Sequence, residues 1–137
     1  MCKINQFDIV YVDLDGAIGS EQSKTRPCVV IQNDTGNAHS PTLIVLPLTK
    51  EIKKPLPTHV FVPMSKAKGL QYNSTVLAEQ VRVVDKRRVK EVIGRITDGK
   101  IKNDIISAYF INATGVAVFQ RIALFLSQIL NHMYKWY

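Results

Sequence analysis

The sequence predicts a mainly β fold: a small, strongly bent antiparallel barrel with a helix after its last strand and an amphipathic helix at its C-terminal end. Two observations carry this reading. Between Phe7 and Ile96, short runs rich in β-branched residues recur, separated by clusters of Gly, Pro, Asn and Asp. Beyond Asp98 the apolar period changes to that of a helix, and a second helical pattern follows Val116.

Phe7 to Leu14 reads as the first strand, and Asp15-Gly16 with Gly19-Ser20 marks the loop after it. Pro27 to Gln32 reads as a second, buried strand, and Asn33 to Pro41 as a turn-rich connection. Residues 42–48 form a third strand closed by Thr49-Lys50. Glu51 to Pro57, with two prolines and three charges, is a loop. Thr58 to Pro63 is a fourth strand, Lys66 to Tyr72 a polar excursion, and Ser74 to Val84 one long or two short strands. Asp85 caps a helical turn that ends at Val89, and Val92 to Ile96 is the last strand. A helix then starts at Asp98 or Thr97, with Ile101, Ile105, Ala108, Tyr109 and Asn112 at helical spacing.

The tail from Val116 places Gln120, Arg121, Ser127, Gln128, Asn131, His132 and Lys135 on one side of a helix. Phe119, Ile122, Ala123, Leu126, Ile129, Leu130 and Met133 cover the other. Arg121 and Ser127-Gln128 interrupt the apolar run, and a bilayer span needs about 20 clean apolar residues. Packing against its own barrel or a second subunit is the main reading; contact with a membrane surface or a foreign partner is the minor one. The chain therefore divides into residues 1–114, the barrel domain, and 115–137, a helical extension.

With 137 residues and 46% of them hydrophobic, the chain can bury the core of one domain without staples. Cys2 and Cys28 are too few and too oddly placed for a disulfide framework, and Cys28 reads as a small buried residue. Met1 to Gln6 has no apolar signal core, so a cytoplasmic location is expected. The formal charge of +7 is unevenly spread. Residues 1–40 are net acidic, whereas residues 82–102 hold eight cations against Asp85, Glu91 and Asp98. Such clustering suits a polyanionic partner, or else is a solvated basic face.

The histidines, His39, His59 and His132, are far apart, and no Cys/His cluster has metal-ligand spacing. A P-loop, a dinucleotide glycine fingerprint and a nucleophile elbow are absent as well. No cofactor or metal is therefore expected. What remains is a set of Arg, Thr, Ser, Glu and Gln, able to orient and polarise a phosphodiester. Its focus is Gly19-Ser20-Glu21-Gln22-Ser23-Lys24-Thr25-Arg26-Pro27. Pro27 biases Arg26 toward an extended backbone at a loop–strand junction, where a guanidinium suits a phosphate or carboxylate. An ordinary surface arginine is the equal alternative.

The ordered motifs Gly19-Ser20-Glu21-Gln22…Thr25-Arg26-Pro27, Val30-Ile31-Gln32-Asn33-Asp34, Ser40-Pro41-Thr42, Leu48-Thr49, Pro57-Thr58-His59-Val60 and Leu77-Ala78-Glu79-Gln80-Val81-Arg82 resemble the MazF/PemK family of bacterial toxins, the ribonuclease halves of toxin–antitoxin pairs. The resemblance implies an SH3-like barrel of the CcdB/MazF type, a homodimer, and metal-independent, sequence-specific cleavage of single-stranded RNA. Attack by the ribose 2′-hydroxyl would leave a 2′,3′-cyclic phosphate and a 5′-hydroxyl. A non-nuclease toxin on the same barrel that poisons DNA gyrase, or a degenerate member that only binds, are the alternatives.

Carried over by position, Arg26 and Thr49 match the catalytic pair, and Glu21, Gln22, Glu79 and Gln80 fall where relatives line the RNA groove. Ser20, Lys24 and His59 complete the expected RNA-binding set. Arg26 stays protonated, which suits clamping and charge stabilisation better than proton abstraction. Glu21 is the nearest carboxylate base in sequence, or it pairs with Lys24 or Arg26; His59 has a suitable pKa but is more often a packing residue. The resemblance also implies an acidic, MazE-like antitoxin partner, which the cations of residues 82–102 with Lys50, Lys53 and Lys54 would attract. Two departures stand out. Phe7 replaces a usual glycine, which predicts a different local turn, and Ser23-Lys24 replaces glycines in the loop. The segment beyond Gly115 lies outside the family pattern.

Overall fold

The structure, a computed structural model, describes residues 3–50, 55–115 and 118–134. Eight strands form one antiparallel system: β1 (Asp8–Asp13), β2 (Thr25–Val30), β3 (Thr42–Thr49), β4 (His59–Val62), β5 (Ala67–Lys68), β6 (Ser74–Leu77), β7 (Arg82–Asp85) and β8 (Val89–Ile96). Their order is β4-β6-β3-β2-β1-β8-β5, with β7 also paired to β3. Among the described residues three α-helices accompany them, α1 (Asp34–His39), α2 (Gly99–Thr114) and α3 (Val118–Tyr134). The mainly β, nearly closed antiparallel barrel with helices after the strands is the fold the sequence predicts.

Strand β1 shows why the barrel is stable. Its side chains alternate, so Ile9 enters one apolar cluster while Val10 and Val12 enter another. All three are fully buried, each stabilising the fold by roughly 1.5–3 kcal/mol. The strand pairs with β2 on one side and β8 on the other, and two register shifts in the β1–β8 ladder bend the sheet. Helix α2 covers the first cluster with Ile101, Ile105 and Ala108. Asp98 caps it, accepting the Ile101 N–H at 3.1 Å, and that hydrogen bond holds its carboxyl below the usual range.

Most boundaries agree with the sequence to within two residues, and the exceptions have local causes. The connection after β2 contains α1, capped by the Asn33 side chain on Gly36 N–H at 2.9 Å. The polar excursion contains β5, which pairs with the end of β8. The stretch from Ser74 to Val84 is two short strands separated by a 3₁₀ turn at Ala78–Gln80. Asp85 does cap a turn, accepting from Arg87 N, but β8 begins directly at Val89.

At Phe7 the backbone adopts the left-handed conformation, with φ 70°, and β1 begins at Asp8. The turn is held by Phe7 N–H to Val30 O at 2.7 Å and Ile96 N–H to Phe7 O at 3.0 Å. The ring packs against the first cluster beneath Lys102, 5.5 Å from its centroid, which offsets the backbone strain. Lys24 likewise keeps a glycine-like φ of 64°.

Gly69 and Gly94 lie where β5 crosses β8. A Cβ on Gly94 would meet Lys68 O at 1.8 Å, and one on Gly69 would meet Ile93 O at 2.0 Å. Only glycine allows this approach.

Of the two packings in the main expectation, its own barrel or a second subunit, the described part of α3 does not show the first. Phe125, Leu126, Ile129, Leu130 and Met133 are all exposed in the single chain. Phe119, Gln120, Arg121, Ile122, Ala123 and Lys135, also assigned to its faces, have side chains outside the described residues. Among the described residues, no helix is long and apolar enough to cross a membrane.

Candidate active site: a basic cavity where two strands part

Strands β2 and β3 run together from Val30–Val45 to Cys28–Pro47, and no pair is formed beyond. Pro27 and Pro47 lack the N–H that would extend the ladder. From Leu48, β3 pairs instead with β6, through Leu48–Val76 and Thr49–Thr75. The fork leaves a cavity of about 320 Å³. Tyr11, Pro27, Leu48, Leu70 and Ile93 supply its apolar wall, and Lys24, Arg26 and Lys50 its charge. Thr25, Gln71, Tyr72 and Ser74 complete the polar lining, and among the described lining residues there is no carboxylate. Three cations with no carboxylate among the described lining residues make a site for an anion.

Arg26 is half-buried there, and its Nε donates to Ser23 O at 2.8 Å. That hydrogen bond restrains the guanidinium and leaves its two Nη groups without a hydrogen bond among the described residues. Thr49 ends β3 and is 3% exposed; it does not line this cavity, although Leu48 and Lys50 on either side of it in the chain do.

The other expected residues separate into three places. Glu21, Gln22, Glu79 and Gln80 come together with Val81 and Arg82 around a second concavity of about 330 Å³. Gln22 Oε1 is buried there without a hydrogen-bond partner among the described residues. Glu21 accepts the Ile18 N–H at 3.1 Å and pairs with neither Lys24 nor Arg26 among the described residues. Ser20 is exposed on the intervening loop and lines neither cavity.

His59 lies elsewhere, on a groove between β4 and α2. Its side chain is 8% exposed and its Nε2 is 2.7 Å from Glu79 Oε1, whose other oxygen accepts from Thr58 Oγ1 at 2.9 Å. His59 therefore orients Glu79, and reaches the second concavity only through it.

Most of the basic segment 82–102 is engaged in holding the fold. Arg82 donates to Leu14 O at 3.0 Å, and Arg88 to Asp13 O and Asp15 O at 3.1 Å. Lys86 reaches Asn37 O, and Arg87 pairs with Asp85 at 3.0 Å. Lys53 and Lys54 lie outside the described residues. Lys50, one of the cavity cations, and its aromatic neighbour Tyr72 carried no catalytic signal in the sequence. Lys50 follows the end of β3 and Tyr72 precedes the start of β6, two strands that pair with each other. No group of His, Cys, Asp and Glu among the described residues could hold a metal ion.

Cys28 is buried in β2 beside this site, and burial pushes its thiol pKa up to about 12. It is a packing residue rather than a nucleophile.

The family described as PemK-like, MazF-like toxin of type II toxin–antitoxin system matches residues 5–103. The Endoribonuclease MazF of Staphylococcus saprophyticus subsp. saprophyticus is 48% identical over 96 residues, covering 69% of this chain and 79% of that protein. In structure the chain is similar to MazF (Form-I) from Deinococcus radiodurans, with a TM-score of 0.68 and 19% identity over 85% of this chain and 100% of that one. It is also similar to an endoribonuclease in complex with its cognate antitoxin from Mycobacterial species, with a TM-score of 0.62 and 18% identity over 80% of this chain and 94% of that one. At such identities the structural likeness speaks for the fold alone.

Proposed function

This chain belongs to the PemK-like, MazF-like toxin family of type II toxin–antitoxin systems, and from that premise we propose that it is a metal-independent, sequence-specific endoribonuclease acting on single-stranded RNA. The observation that carries the reading is the cavity at the β2–β3 fork, with Lys24, Arg26 and Lys50 on its wall and no carboxylate in its described lining. A phosphodiester brings one negative charge, and the forked Nη groups of Arg26 can hold two of its oxygens. In-line attack by the ribose 2′-oxygen forms the new P–O bond while the P–O5′ bond breaks. Charge then builds on the non-bridging oxygens that Arg26 clamps. The Thr49 hydroxyl, at the matching step of β3, would fix the same phosphate once the strand is bound.

The 2′-hydroxyl proton must leave and the 5′-oxygen must gain one. Arg26 is too basic to accept the first. Glu21 lies in the neighbouring concavity and His59 behind Glu79, so the base would have to approach from a bound conformation or from solvent. The concavity of Glu21, Gln22, Glu79 and Gln80 supplies donors and acceptors suited to base edges of an unstacked strand.

The protein partner would be an acidic antitoxin segment competing with RNA for the cavity cations, with affinity that falls as salt is added. A homodimer in the cytoplasm is the expected working form. Residues 1–114 would form the toxin domain. Residues 115–137 would be a separate extension, since Gly115 ends α2 in a left-handed cap and Phe125 to Met133 stand clear of the barrel.

The test is to incubate purified protein with mixed single-stranded RNA in the presence of chelator and to map the fragment ends. Cyclic-phosphate and 5′-hydroxyl ends at a short shared sequence are expected. Intact RNA, with DNA gyrase inhibited instead, would move the protein to the non-nuclease reading.

A further inference from the structure

We propose that Tyr72 is a stacking platform for an unpaired base beside the phosphate held by Arg26, and that Lys50 covers the platform until nucleic acid arrives. This rests on reading the fork cavity as an RNA site. Tyr72 lines that cavity together with Arg26, yet its side chain is 58% exposed. An aromatic ring left open beside a phosphate-sized cationic site is a poor core element and a good surface for a base.

The backbone that carries the ring is held in place. Ser74 Oγ donates to the Tyr72 carbonyl at 3.0 Å, and Asn73 Oδ1 accepts the Met64 N–H at 2.9 Å. Upstream, the close approach of Gly69 to Ile93 O pins the same loop to β8. The loop is therefore tied on both sides of the ring.

Lys50 shows which surface of the ring is open. Its Nζ sits 5.1 Å from the ring centroid, over the face and not the edge. A cation there marks the face as accessible and electron-rich. A flat base would take the same position, since unstacked RNA bases are bound on aromatic faces. The displaced ammonium, itself exposed, would then serve the adjacent phosphate, so one binding event exchanges a cation–π contact for a stack and an ion pair. Stacking needs a π-face but not the phenol oxygen, so it tolerates any base and adds affinity without setting the sequence.

The experiment measures kcat and KM on a short single-stranded RNA for wild type, Tyr72→Ala, Tyr72→Phe and Lys50→Met, with binding followed by fluorescence polarisation in the Arg26→Ala background. Tyr72→Ala should raise KM roughly 5- to 100-fold with kcat nearly unchanged, and Tyr72→Phe should restore it. Lys50→Met should flatten the salt dependence of binding while keeping the stack. If wild type cuts RNA and Tyr72→Ala has a wild-type KM, the platform is wrong and the ring serves another partner, such as the antitoxin. A Tyr72→Phe variant as weak as Tyr72→Ala would equally overturn it, by assigning the effect to the hydroxyl. If wild type binds RNA without cutting it, and only the alanine variant loses binding, the nuclease reading falls and the platform stands.

Discussion

Arg26 and Thr49 occupy matching steps on β2 and β3, each two residues beyond the last pair those strands form, Cys28 with Pro47. They lie where the two strands separate; Arg26 lines the cavity there, while Thr49 is buried and does not. If both act on one phosphate, their removal should impair the chemical step and leave the fold intact. Arg26→Ala is expected to lower kcat about 100- to 1000-fold, the usual effect of deleting one preorganised charge stabiliser. Thr49→Ala and Thr49→Val should both lower it, the valine keeping the buried volume. Single-turnover cleavage with a parallel unfolding curve checks this; wild-type rates in all three would remove the assignment.

Gly94→Ala should be among the most destabilising single-methyl additions in the chain. Its Cβ would overlap the Lys68 carbonyl, and backbone cannot rotate away as a side chain can. A loss of about 3 kcal/mol is expected from overpacking. Because Gly69 and Ile93 also line the fork cavity, cleavage should fall even under conditions where the variant remains folded. Urea unfolding and activity measured together decide; an unchanged midpoint would contradict the close crossing of β5 and β8.

Phe7 combines an unfavourable backbone with a favourable ring. Phe7→Ala loses the ring and keeps the left-handed strain, whereas Phe7→Gly loses the ring and relieves the strain. The glycine variant should therefore be the more stable of the two, by about 1 kcal/mol. Thermal unfolding of the pair tests this, and an alanine variant equal or superior to glycine would refute the positive φ.

The buried thiol gives a pH dependence with a definite sign. Cys28 titrates at about 12 in the folded chain against 9.0 when free. Below pH 9 the thiol is protonated in both states and stability is unaffected. Between pH 9 and about 12 the unfolded chain ionises first, so stability falls as pH rises. In a Cys2→Ser background, Cys28 should resist a thiol reagent at pH 8 until denaturant is added. Rapid labelling of the native protein would show that β2 is open.

The strands and both long helices were legible because their signals are local. Asp98 is followed by apolar residues at helical spacing, and β-branched runs end in turn residues. Elements set by pairing were not. Two residues, Ala67 and Lys68, carry no period, and β5 exists only because β8 lies beside it. Helix α1 lacks an apolar face and is signalled by its Asn33 cap alone.

The candidate site divides in the same way. Arg26 could be found from the rigid junction made by Pro27, and Lys24 came with it. That Glu21, Gln22, Glu79 and Gln80 share a concavity apart from Arg26 depends on contacts across the barrel. The separation of His59 from the cavity depends on its hydrogen bond to Glu79. Lys50 and Tyr72 meet only because β3 turns from β2 to β6.

Strand β3 pairs with β2, β6 and β7, and its interior residues Leu43, Val45, Leu46 and Leu48 are buried. Its amides should therefore be among the slowest to exchange with deuterated solvent, opening only when the whole domain does. The strand that ends in Thr49 would then stay ordered through every local fluctuation, so an arriving ligand would meet it already formed.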